Sequence, residues 1–520
     1  MSTAPRTTLA PETRAALAQL ALVAATFVVL AGASYAVPPG TSFGDLELDR
    51  LVPYAPGDKL PLADLWDWED KELPAFAGSG GSYQAPAQMS ARTAEDVGSA
   101  VAANLGVSDD PPPPIPQTAP EDAPPAVHID PSEYADLAVE IENPEALRPF
   151  FRALEATARL ETGAITRIGH YGDSSIATDL ITSTARRNFQ RRFGDGGHGF
   201  HLASRGTMPY RHRNVFHRAS GNWGLRMITM GQDRRGLYGY GGVQYMPRSD
   251  ARGLYGTADE GHIGRNVSHF DIYFRRDPRG GRLRYRVDGG AFQLLDTSGD
   301  AEDSVERIEV PDGHHRLELR AGGGGPVRVY GVVLERDGPG VVYDSLGLVG
   351  ARARRLLNFD EDHIRSQMAQ RDLDLMILGF GGNEADDPIR STENRYEPEF
   401  AAVIRRMRAS RPDMACIIFA PLDQGTRDNR GRVRTMETIP VIVEAQRNAA
   451  RAEGCAFFNT YEAMGGEGAM GAWVRARPRL AMSDYRHATP EGYEVIGNLF
   501  YKALIKAFAD DLASRAGSEP

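Results

Sequence analysis

Residues 166–175 read Thr-Arg-Ile-Gly-His-Tyr-Gly-Asp-Ser-Ser, and the apolar pattern of residues 164–170 predicts a β-strand that runs into this Gly-Asp-Ser turn. Residues 176–192 have the spacing of a helix, so the segment predicts a strand, a tight turn and a helix in succession. Ser174, in the turn, is the candidate nucleophile. Because a serine hydroxyl attacks poorly without a base to take its proton, this interpretation requires a histidine, a carboxylate and oxyanion donors elsewhere in the chain.

The composition indicates a folded protein with room for more than one domain. The chain has 520 residues, of which 41% are hydrophobic, and this is enough to bury at least one large core. Its formal net charge at pH 7 is -11. Because neutralising nucleic-acid phosphates requires an excess of lysine and arginine, we expect no nucleic-acid partner.

The N-terminal part differs in composition from the rest. An uncharged apolar run in residues 1–37 predicts either a signal peptide, with small residues at 33–36 for cleavage, or a membrane anchor. Residues 38–126 are rich in proline, glycine, serine and acidic residues, which is typical of a semi-rigid linker; a small domain around residues 46–72 is the alternative. No second long apolar run follows, so we expect the bulk of the chain to be extracytoplasmic, in the periplasm or cell envelope.

The remaining sequence changes its pattern twice. Residues 127–210 alternate helical and strand-like segments, and the same rhythm returns in residues 343–515, with apolar strands predicted at 373–379 and 414–420. Between them, residues 211–342 alternate polar and apolar positions and are divided by glycine-rich turns. The pattern therefore predicts one α/β domain interrupted by an all-β sandwich.

The two cysteines of the chain could be separate or could form a disulfide. Cys416 lies in an apolar run that predicts a buried strand, which favours a core role for its side chain. Cys455 is the other cysteine. An extracytoplasmic location fits a disulfide between them, but the sequence leaves their pairing open.

Asp484 and His487 are the candidate carboxylate and base, because a catalytic histidine needs an acceptor to fix its tautomer. They are followed by Thr489, which can cap a helix that begins with proline and so anchor the loop. The spacing itself is not distinctive. The alternative is the pair Asp360 and His363, and three further Asp-x-x-His pairs lie at 195/198, 259/262 and 312/315.

Two glycine-containing segments are candidates for an oxyanion hole. Asn383 follows two glycines directly after an apolar strand, so its carboxamide could serve as a preorganised donor, although asparagine is also a common turn residue. A backbone donor is expected from residues 344–352, where glycine allows close approach to a substrate. Gly350 is preferred over Gly347 for this role.

Taken in order, Gly172-Asp173-Ser174, Gly350, Gly381-Gly382-Asn383 and Asp484-x-x-His487 resemble the SGNH (GDSL-type) hydrolase family. The resemblance implies a three-layer α/β/α fold with a parallel sheet, no cofactor and no metal. It also implies that Ser174 is the nucleophile, His487 the base and Asp484 its orienting partner. The oxyanion hole would comprise the Ser174 and Gly350 N–H groups and the Asn383 amide.

Other features bear on the subfamily. Glu384 follows Asn383, where many members have aspartate. The position of the β insert and the segment 193–200 are similar to bacterial peptidoglycan O-acetylesterases and their wall-acetyltransferase relatives, which carry a carbohydrate-module-like sandwich there. The resemblance implies a serine esterase that removes O-acetyl groups from an envelope polysaccharide, with an O-acetylated polysaccharide or another acyl ester as its partner. The alternatives are an O-acetyltransferase and a catalytically silent wall-binding protein.

Two groups of side chains in the insert region complete the analysis. The histidines have spacings that fit no standard ligand set, so we expect them to have loop or surface roles; they are His198, His201, His212 and His217. The aromatic residues could form a sugar platform, but a core role is favoured; they are Trp223, Tyr238, Tyr240 and Tyr245.

Overall fold

The computed structural model describes residues 42–43, 46–47, 127, 129–207 and 209–516. The predicted signal or anchor and most of the predicted linker lie outside the described residues. Within the linker, strands β1 (Ser42–Phe43) and β2 (Leu46–Glu47) form an antiparallel pair in a unit of their own. Among the helices that the structure describes, none is both long and apolar enough to cross a membrane.

The second unit of the chain contains the remaining elements. Its strands are, in order, β3 (Ile141–Glu142), β4 (Ile165–Gly172), β5 (Gly199–Leu202), β6 (Val215–Ser220), β7 (Arg226–Met227), β8 (Val243–Gln244), β9 (Arg252–Thr257), β10 (Val267–Arg275), β11 (Arg282–Val287), β12 (Gln293–Asp296), β13 (Asp303–Gly313), β14 (Arg316–Gly323), β15 (Arg328–Glu335), β16 (Gly340–Gly347), β17 (Leu375–Gly379), β18 (Ala415–Phe419), β19 (Gly425–Arg427), β20 (Val433–Thr435) and β21 (Ala456–Phe458). Its α-helices are α1 (Arg148–Ala158), α2 (Ser174–Ala177), α3 (Leu180–Phe193), α4 (Glu361–Arg371), α5 (Ile389–Arg408), α6 (Thr438–Ala452), α7 (Thr460–Ala463), α8 (Ala469–Arg475) and α9 (Pro490–Ala516).

A central six-stranded sheet has the order β16-β4-β17-β18-β21-β3. All neighbours are parallel except the edge strand β3, which is antiparallel to β21. Alternate residues of β17 face opposite layers, because successive side chains in a strand point to opposite faces. Leu375 and Ile377 pack in the layer of α1, α3 and α9, whereas Met376 and Leu378 pack in the layer of α5 and α6. The predicted three-layer α/β/α fold with a parallel sheet is confirmed.

The insert consists mainly of two antiparallel sheets, with orders β13-β10-β15-β5 and β12-β11-β14-β9-β6. Ile272 on β10 and Leu319 on β14 belong to the same buried cluster, so the sheets share a core. Strand pairing places both ends of the insert earlier in the chain than the boundaries predicted at 211 and 343. β5 already pairs with β15 in the insert, and β16 pairs with β4 from Gly340 onward. Alternation along one strand does not specify its partner, which is why the sequence placed these boundaries differently.

The aromatic residues considered as a sugar platform lie inside the protein. Tyr238, Tyr240 and Tyr245 are each 0% exposed, and Trp223 is 4% exposed. The Tyr240 hydroxyl donates to Asp344 at 2.9 Å, so even its polar end is used internally. These side chains therefore belong to the core, the role that the sequence favoured.

A disulfide joins the two cysteines, whose pairing the sequence left open. Cys416 lies on β18, and Cys455 immediately precedes the neighbouring strand β21. Both side chains are fully buried, so the predicted core position of Cys416 is confirmed. The bridge closes a sequence separation of 39 residues, for which chain-entropy arguments give about 4 kcal/mol of stabilisation.

The predicted loop or surface role is wrong for His201, which is fully buried on β5, whereas His198 lies in a loop as predicted, although it is buried. His198 and His201 are 4% and 0% exposed, because β5 brings them beneath the segment that leads into β6. His212 and His217, from that segment and from β6, are partly buried beside them. The contacts of β5 with β15 and β16 join distant parts of the chain, and local sequence spacing does not contain them.

Candidate active site

Ser174 is the first residue of α2, directly beyond the carboxyl end of β4. The turn before it is tightly packed, since a Cβ on Gly172 would lie 2.3 Å from the side chain of Ile176. The Asp173 carboxylate caps the helix by accepting from the Ser175 backbone N–H at 2.9 Å and from the Ser175 hydroxyl at 2.8 Å. The strand, glycine and cap together fix where the Ser174 hydroxyl emerges.

His487 reaches this hydroxyl from the loop before α9. Its Nε2 lies 3.1 Å from Ser174 Oγ, and its Nδ1 lies 2.7 Å from Asp484 Oδ2. The same carboxylate accepts from the backbone N–H groups of Arg486 and His487, at 3.0 and 3.1 Å, through Oδ1. A carboxylate held at Nδ1 places the imidazole proton there, so Nε2 is free to accept the serine proton.

The Asp484 carboxyl is suited to that task. Burial raises its pKa, but the hydrogen bonds from His487 and the backbone outweigh this effect and lower the pKa below its usual value. Its carboxylate is therefore ionised at neutral pH and can stabilise a positively charged His487. Next to it, Arg486 donates to both carboxylate oxygens of Asp386, at 2.8 and 2.7 Å, which ties this loop to the loop after β17.

The alternative pair, Asp360 and His363, has a structural role. Asp360 caps α4 by accepting from the His363 backbone N–H at 2.9 Å. The imidazole of His363 is buried, with Nδ1 2.6 Å from Asp303 and Nε2 accepting from the Gly239 N–H at 2.8 Å. Both ring nitrogens are thus occupied at the contact between α4 and the insert.

Asn383 lies in the loop after β17 and lines the same cleft as Ser174 and His487. Its Nδ2 donates to the Ala351 carbonyl at 2.9 Å, and the second hydrogen of this amide remains available for an oxyanion. Gly350 precedes Ala351, has φ of 73° and has no atom within 4 Å of its Cβ position, but it is not among the residues that line the cleft. Gly347 packs onto α2, where a Cβ would lie 2.1 Å from the Ala177 nitrogen.

Glu384 is a buried carboxyl whose role the sequence analysis did not predict. Its Oε1 accepts from the Ala353 backbone N–H at 2.7 Å, so Asn383 and Glu384 together hold the loop that carries Gly350. Burial, reinforced by the neighbouring Asp173 carboxyl, raises the pKa of Glu384 to about 7. Burial also raises the pKa of Asp173 itself. The one feature of the sequence that pointed to a role for Glu384 is its position directly after Asn383.

The cleft over Ser174 has a mixed lining. Its volume is about 500 Å³ when the open solvent at its mouth is included. The lining combines apolar and polar side chains and includes Phe380, Phe419, Ala420, Pro421, Leu422, Gln424, Arg486 and Tyr493. The Ser174 hydroxyl therefore lies in a cleft that is open to solvent.

Comparison with known proteins gives one family match and several similar structures. The model of the GDSL-like lipase/acylhydrolase family matches residues 312–495, which include Gly350, Asn383, Asp484 and His487 but not Ser174. A solved structure named "Peptidoglycan O-acetylesterase in action, 5 min" is similar at a TM-score of 0.59 and 21% identity, over 71% of this chain and 99% of that chain.

The α/β domain has the SGNH hydrolase fold of that structure, and residues 312–495 match the GDSL-like lipase/acylhydrolase family. The β insert interrupts this fold between β4 and β16. Two other solved structures are a lipase/acylhydrolase from Enterococcus faecalis (18% identity, 31% of this chain and 74% of that chain, TM-score 0.23) and a family two carbohydrate esterase from Cellvibrio japonicus (9% identity, 57% and 99%, TM-score 0.22). No curated protein sequence matches the chain.

Proposed function

We propose that this SGNH hydrolase removes O-acetyl groups from a cell-envelope polysaccharide, with peptidoglycan as its substrate, through an acyl-enzyme on Ser174. The observation that carries the proposal is the hydrogen-bonded series Ser174–His487–Asp484, with distances of 3.1 and 2.7 Å, in which Ser174 and His487 line an open cleft. The similarity to a peptidoglycan O-acetylesterase structure supports the choice of substrate.

The proposed reaction uses these groups in turn. His487 Nε2 takes the proton of Ser174 Oγ, which attacks the acetyl carbonyl carbon. The oxyanion of the tetrahedral intermediate accepts hydrogen bonds from the Ser174 N–H, the Gly350 N–H and the Asn383 amide. Collapse breaks the ester bond, and the sugar oxygen leaves with the proton from His487. Water, activated by the same imidazole, then releases acetate and restores Ser174.

The cleft favours an acetyl group over longer acyl chains. Phe419, Pro421 and Leu422 line the cleft and would provide apolar contacts for a methyl group, and Gln424 and Arg486 are polar residues of the same lining. A polysaccharide carries its acetyl groups on ring hydroxyls, so the sugar would remain at the mouth of the cleft. The preference predicts that activity declines as the acyl chain of a small ester is lengthened from acetate to octanoate.

We also propose that the protein acts outside the cytoplasm. The disulfide between Cys416 and Cys455 supports this location, because disulfides persist in oxidising compartments. The apolar run in residues 1–37 supports it as well, as an export signal or an anchor. Fractionation of cells that express the full chain tests the location, and recovery of the folded protein in the cytoplasm alone would contradict it.

Acetate release tests the proposed reaction. Purified protein is incubated with O-acetylated peptidoglycan and with p-nitrophenyl acetate, beside Ser174→Ala and the control Ser249→Ala, which changes an exposed serine of the insert. We expect release from both substrates by the wild type and the control and none above background by Ser174→Ala. Release that persists in Ser174→Ala would contradict the mechanism. Release from the small ester alone would contradict the peptidoglycan assignment, and transfer to an added glycan acceptor without free acetate would favour an acetyltransferase.

A further inference from the structure

Three histidines converge in the interior, outside the active site. His198 immediately precedes β5, His201 lies on β5, and His212 comes from the segment before β6. One ring nitrogen of each histidine lies within 4.8 Å of the corresponding nitrogens of the other two. The ring centroids of His201 and His212 are only 4.3 Å apart. Sites with Zn–N bonds of about 2.0–2.1 Å hold their nitrogens roughly 3.4 Å apart, so small side-chain rotations bring these three to a common centre.

Four ring nitrogens of these histidines have no hydrogen-bond partner among the described residues. They are His198 Nδ1, both ring nitrogens of His201, and His212 Nδ1. Buried polar atoms are normally paired. Because each neutral imidazole offers one lone pair, the three rings together can present three lone pairs to a single cation.

The opposite nitrogens are positioned as they are in metal sites. His198 Nε2 lies 2.6 Å from the Arg213 carbonyl, which fixes the proton on Nε2 and leaves Nδ1 as an acceptor. His212 Nε2 lies 2.8 Å from the Tyr210 hydroxyl, which in turn accepts from the Leu202 N–H at 3.1 Å. Metal-binding histidines commonly orient their rings through a carbonyl or a similar outer partner.

The surrounding charge is balanced. The nearest ion pair is Asp179 with Arg186, fully buried and joined at 2.6 Å, which adds no net charge.

We propose that His198, His201 and His212 bind one divalent transition-metal ion, with Zn²⁺ as the occupant. Imidazole ligands suit zinc, copper, iron and nickel, and the absence of carboxylate from the converging set disfavours calcium and magnesium. His217 is the candidate fourth ligand, because its Nε2 also has no partner among the described residues and its ring centroid lies 5.7 Å from that of His201.

The site would connect the insert to the helix that carries the nucleophile. β5 and β6 are the edge strands of the two insert sheets. The segment with His212 is hydrogen bonded to the SGNH domain on both sides: the Arg211 N–H donates to the Ala177 carbonyl at 3.2 Å, and the Arg213 N–H donates to Asp179 at 2.7 Å. Ala177 is the last residue of α2, so the ion would stabilise the junction behind Ser174.

Metal titration of the purified full chain tests this proposal. The protein is stripped with a chelator, and Zn²⁺ binding is measured by calorimetry and by metal analysis after dialysis. We expect about one ion per chain and a higher melting temperature with zinc. Loss of a group that only hydrogen-bonds a metal ligand lowers metal affinity by roughly 10- to 100-fold. Because His201 is itself a proposed ligand, His201→Gln should lower the affinity for Zn²⁺ by more than that. His262→Gln, which changes an exposed histidine of the insert, should bind as the wild type does.

A second measurement covers the case in which His201→Gln fails to fold. Co²⁺ added to the stripped wild type should give the visible absorption of a nitrogen-ligated site, and Zn²⁺ should abolish it. No saturable binding by the wild type, or equal affinity in His201→Gln, would overturn the proposal. The outcome is independent of the proposed esterase, because Ser174→Ala should bind Zn²⁺ with unchanged affinity whether or not the ester is cleaved.

Discussion

The active site and the buried histidine cluster use the same side chain in opposite ways. His487 has a side chain that is 41% exposed, and both its ring nitrogens have partners, in Ser174 and Asp484. His201 is fully buried, and neither of its nitrogens has a partner among the described residues. A hydrogen-bonded, accessible imidazole is suited to moving protons, whereas a buried ring with free lone pairs is suited to holding a cation.

The difference also concerns how each region is built. Asp484 and His487 are three residues apart in one loop, so the short loop itself sets their distance. The cluster draws its members from β5, from the residue before it and from the segment that leads into β6. We therefore expect substitutions in the active site to change turnover with little loss of stability, and substitutions in the cluster to change metal content and melting temperature.

Replacing the base should give the largest effect. We expect His487→Ala to lower kcat/KM for p-nitrophenyl acetate by about 10⁴-fold or more, since the serine loses its proton acceptor. Its melting temperature and zinc content should match those of the wild type. His262→Gln is the control for a histidine elsewhere in the chain. If kcat/KM of His487→Ala fell by less than tenfold, or if this variant lost zinc, the active site and the histidine cluster would not have the separate roles assigned to them.

Removing the oxyanion amide should have the next largest effect. We expect Asn383→Ala to lower kcat by about 10²- to 10³-fold with little change in KM, because the donor acts on charge that develops in the transition state. Steady-state kinetics with p-nitrophenyl acetate measure both constants. The matched control is Asn394→Ala, which changes an exposed residue of α5. An unchanged kcat would show that Asn383 serves only its contact with Ala351.

Replacing Glu384 should change how the free energy of unfolding depends on pH, rather than the rate of turnover. Its pKa is raised from 4.5 to about 7 in the folded protein, which corresponds to about 3 kcal/mol. The neutral form is favoured by folding, so this stability is complete below about pH 4.5 and is lost as the pH rises through 7. In Glu384→Gln, which stays neutral, the free energy of unfolding should fall less between pH 5 and pH 8 than in the wild type.

Urea unfolding at several pH values measures this difference. The control is Glu393→Gln, since Glu393 is exposed on α5 and its replacement should leave the pH dependence as it is. Equal slopes in Glu384→Gln and the wild type would mean that the buried carboxyl does not titrate in this range. The active-site loop would then owe its pH response to other groups.

The pair of Arg486 and Asp386 should have the smallest effect. Their side chains are 37% and 51% exposed, and ion pairs at such positions contribute about 0–1 kcal/mol. We expect Arg486→Ala and Asp386→Asn each to lower kcat/KM for the small ester by less than about tenfold. A fall of more than 100-fold in Arg486→Ala alone would assign Arg486 a direct contact with the reacting ester.

Much of the SGNH domain could be predicted because its informative segments are short and ordered along the chain. The strand, turn and helix around Ser174 follow from local periodicity, and the structure has them as β4, α2 and α3. The order of Ser174, Asn383 and His487 matched a family pattern, and the structure places these three residues around one cleft. Their catalytic roles remain predictions until the variants are measured.

The remaining features depend on contacts between distant segments. The pairing of β5 with β15, and with it the boundary of the insert, follows from hydrogen bonds over long sequence separations. The disulfide depends on the parallel neighbours β18 and β21. The histidines were assigned to loops or the surface because their spacing matches no ligand motif, although the fold brings His201 and His212 together in the interior. Spacing within one segment does not show which distant segments meet in the fold.

Covalent labelling of the nucleophile tests the central claim most directly. A fluorophosphonate, which reacts with activated serines, is added to the purified protein, and the modified peptide is identified by mass spectrometry. The account predicts stoichiometric modification of Ser174 that is abolished in His487→Ala and unchanged in Ser249→Ala. Modification of a different serine, or labelling of Ser174 at the same rate without His487, would contradict it.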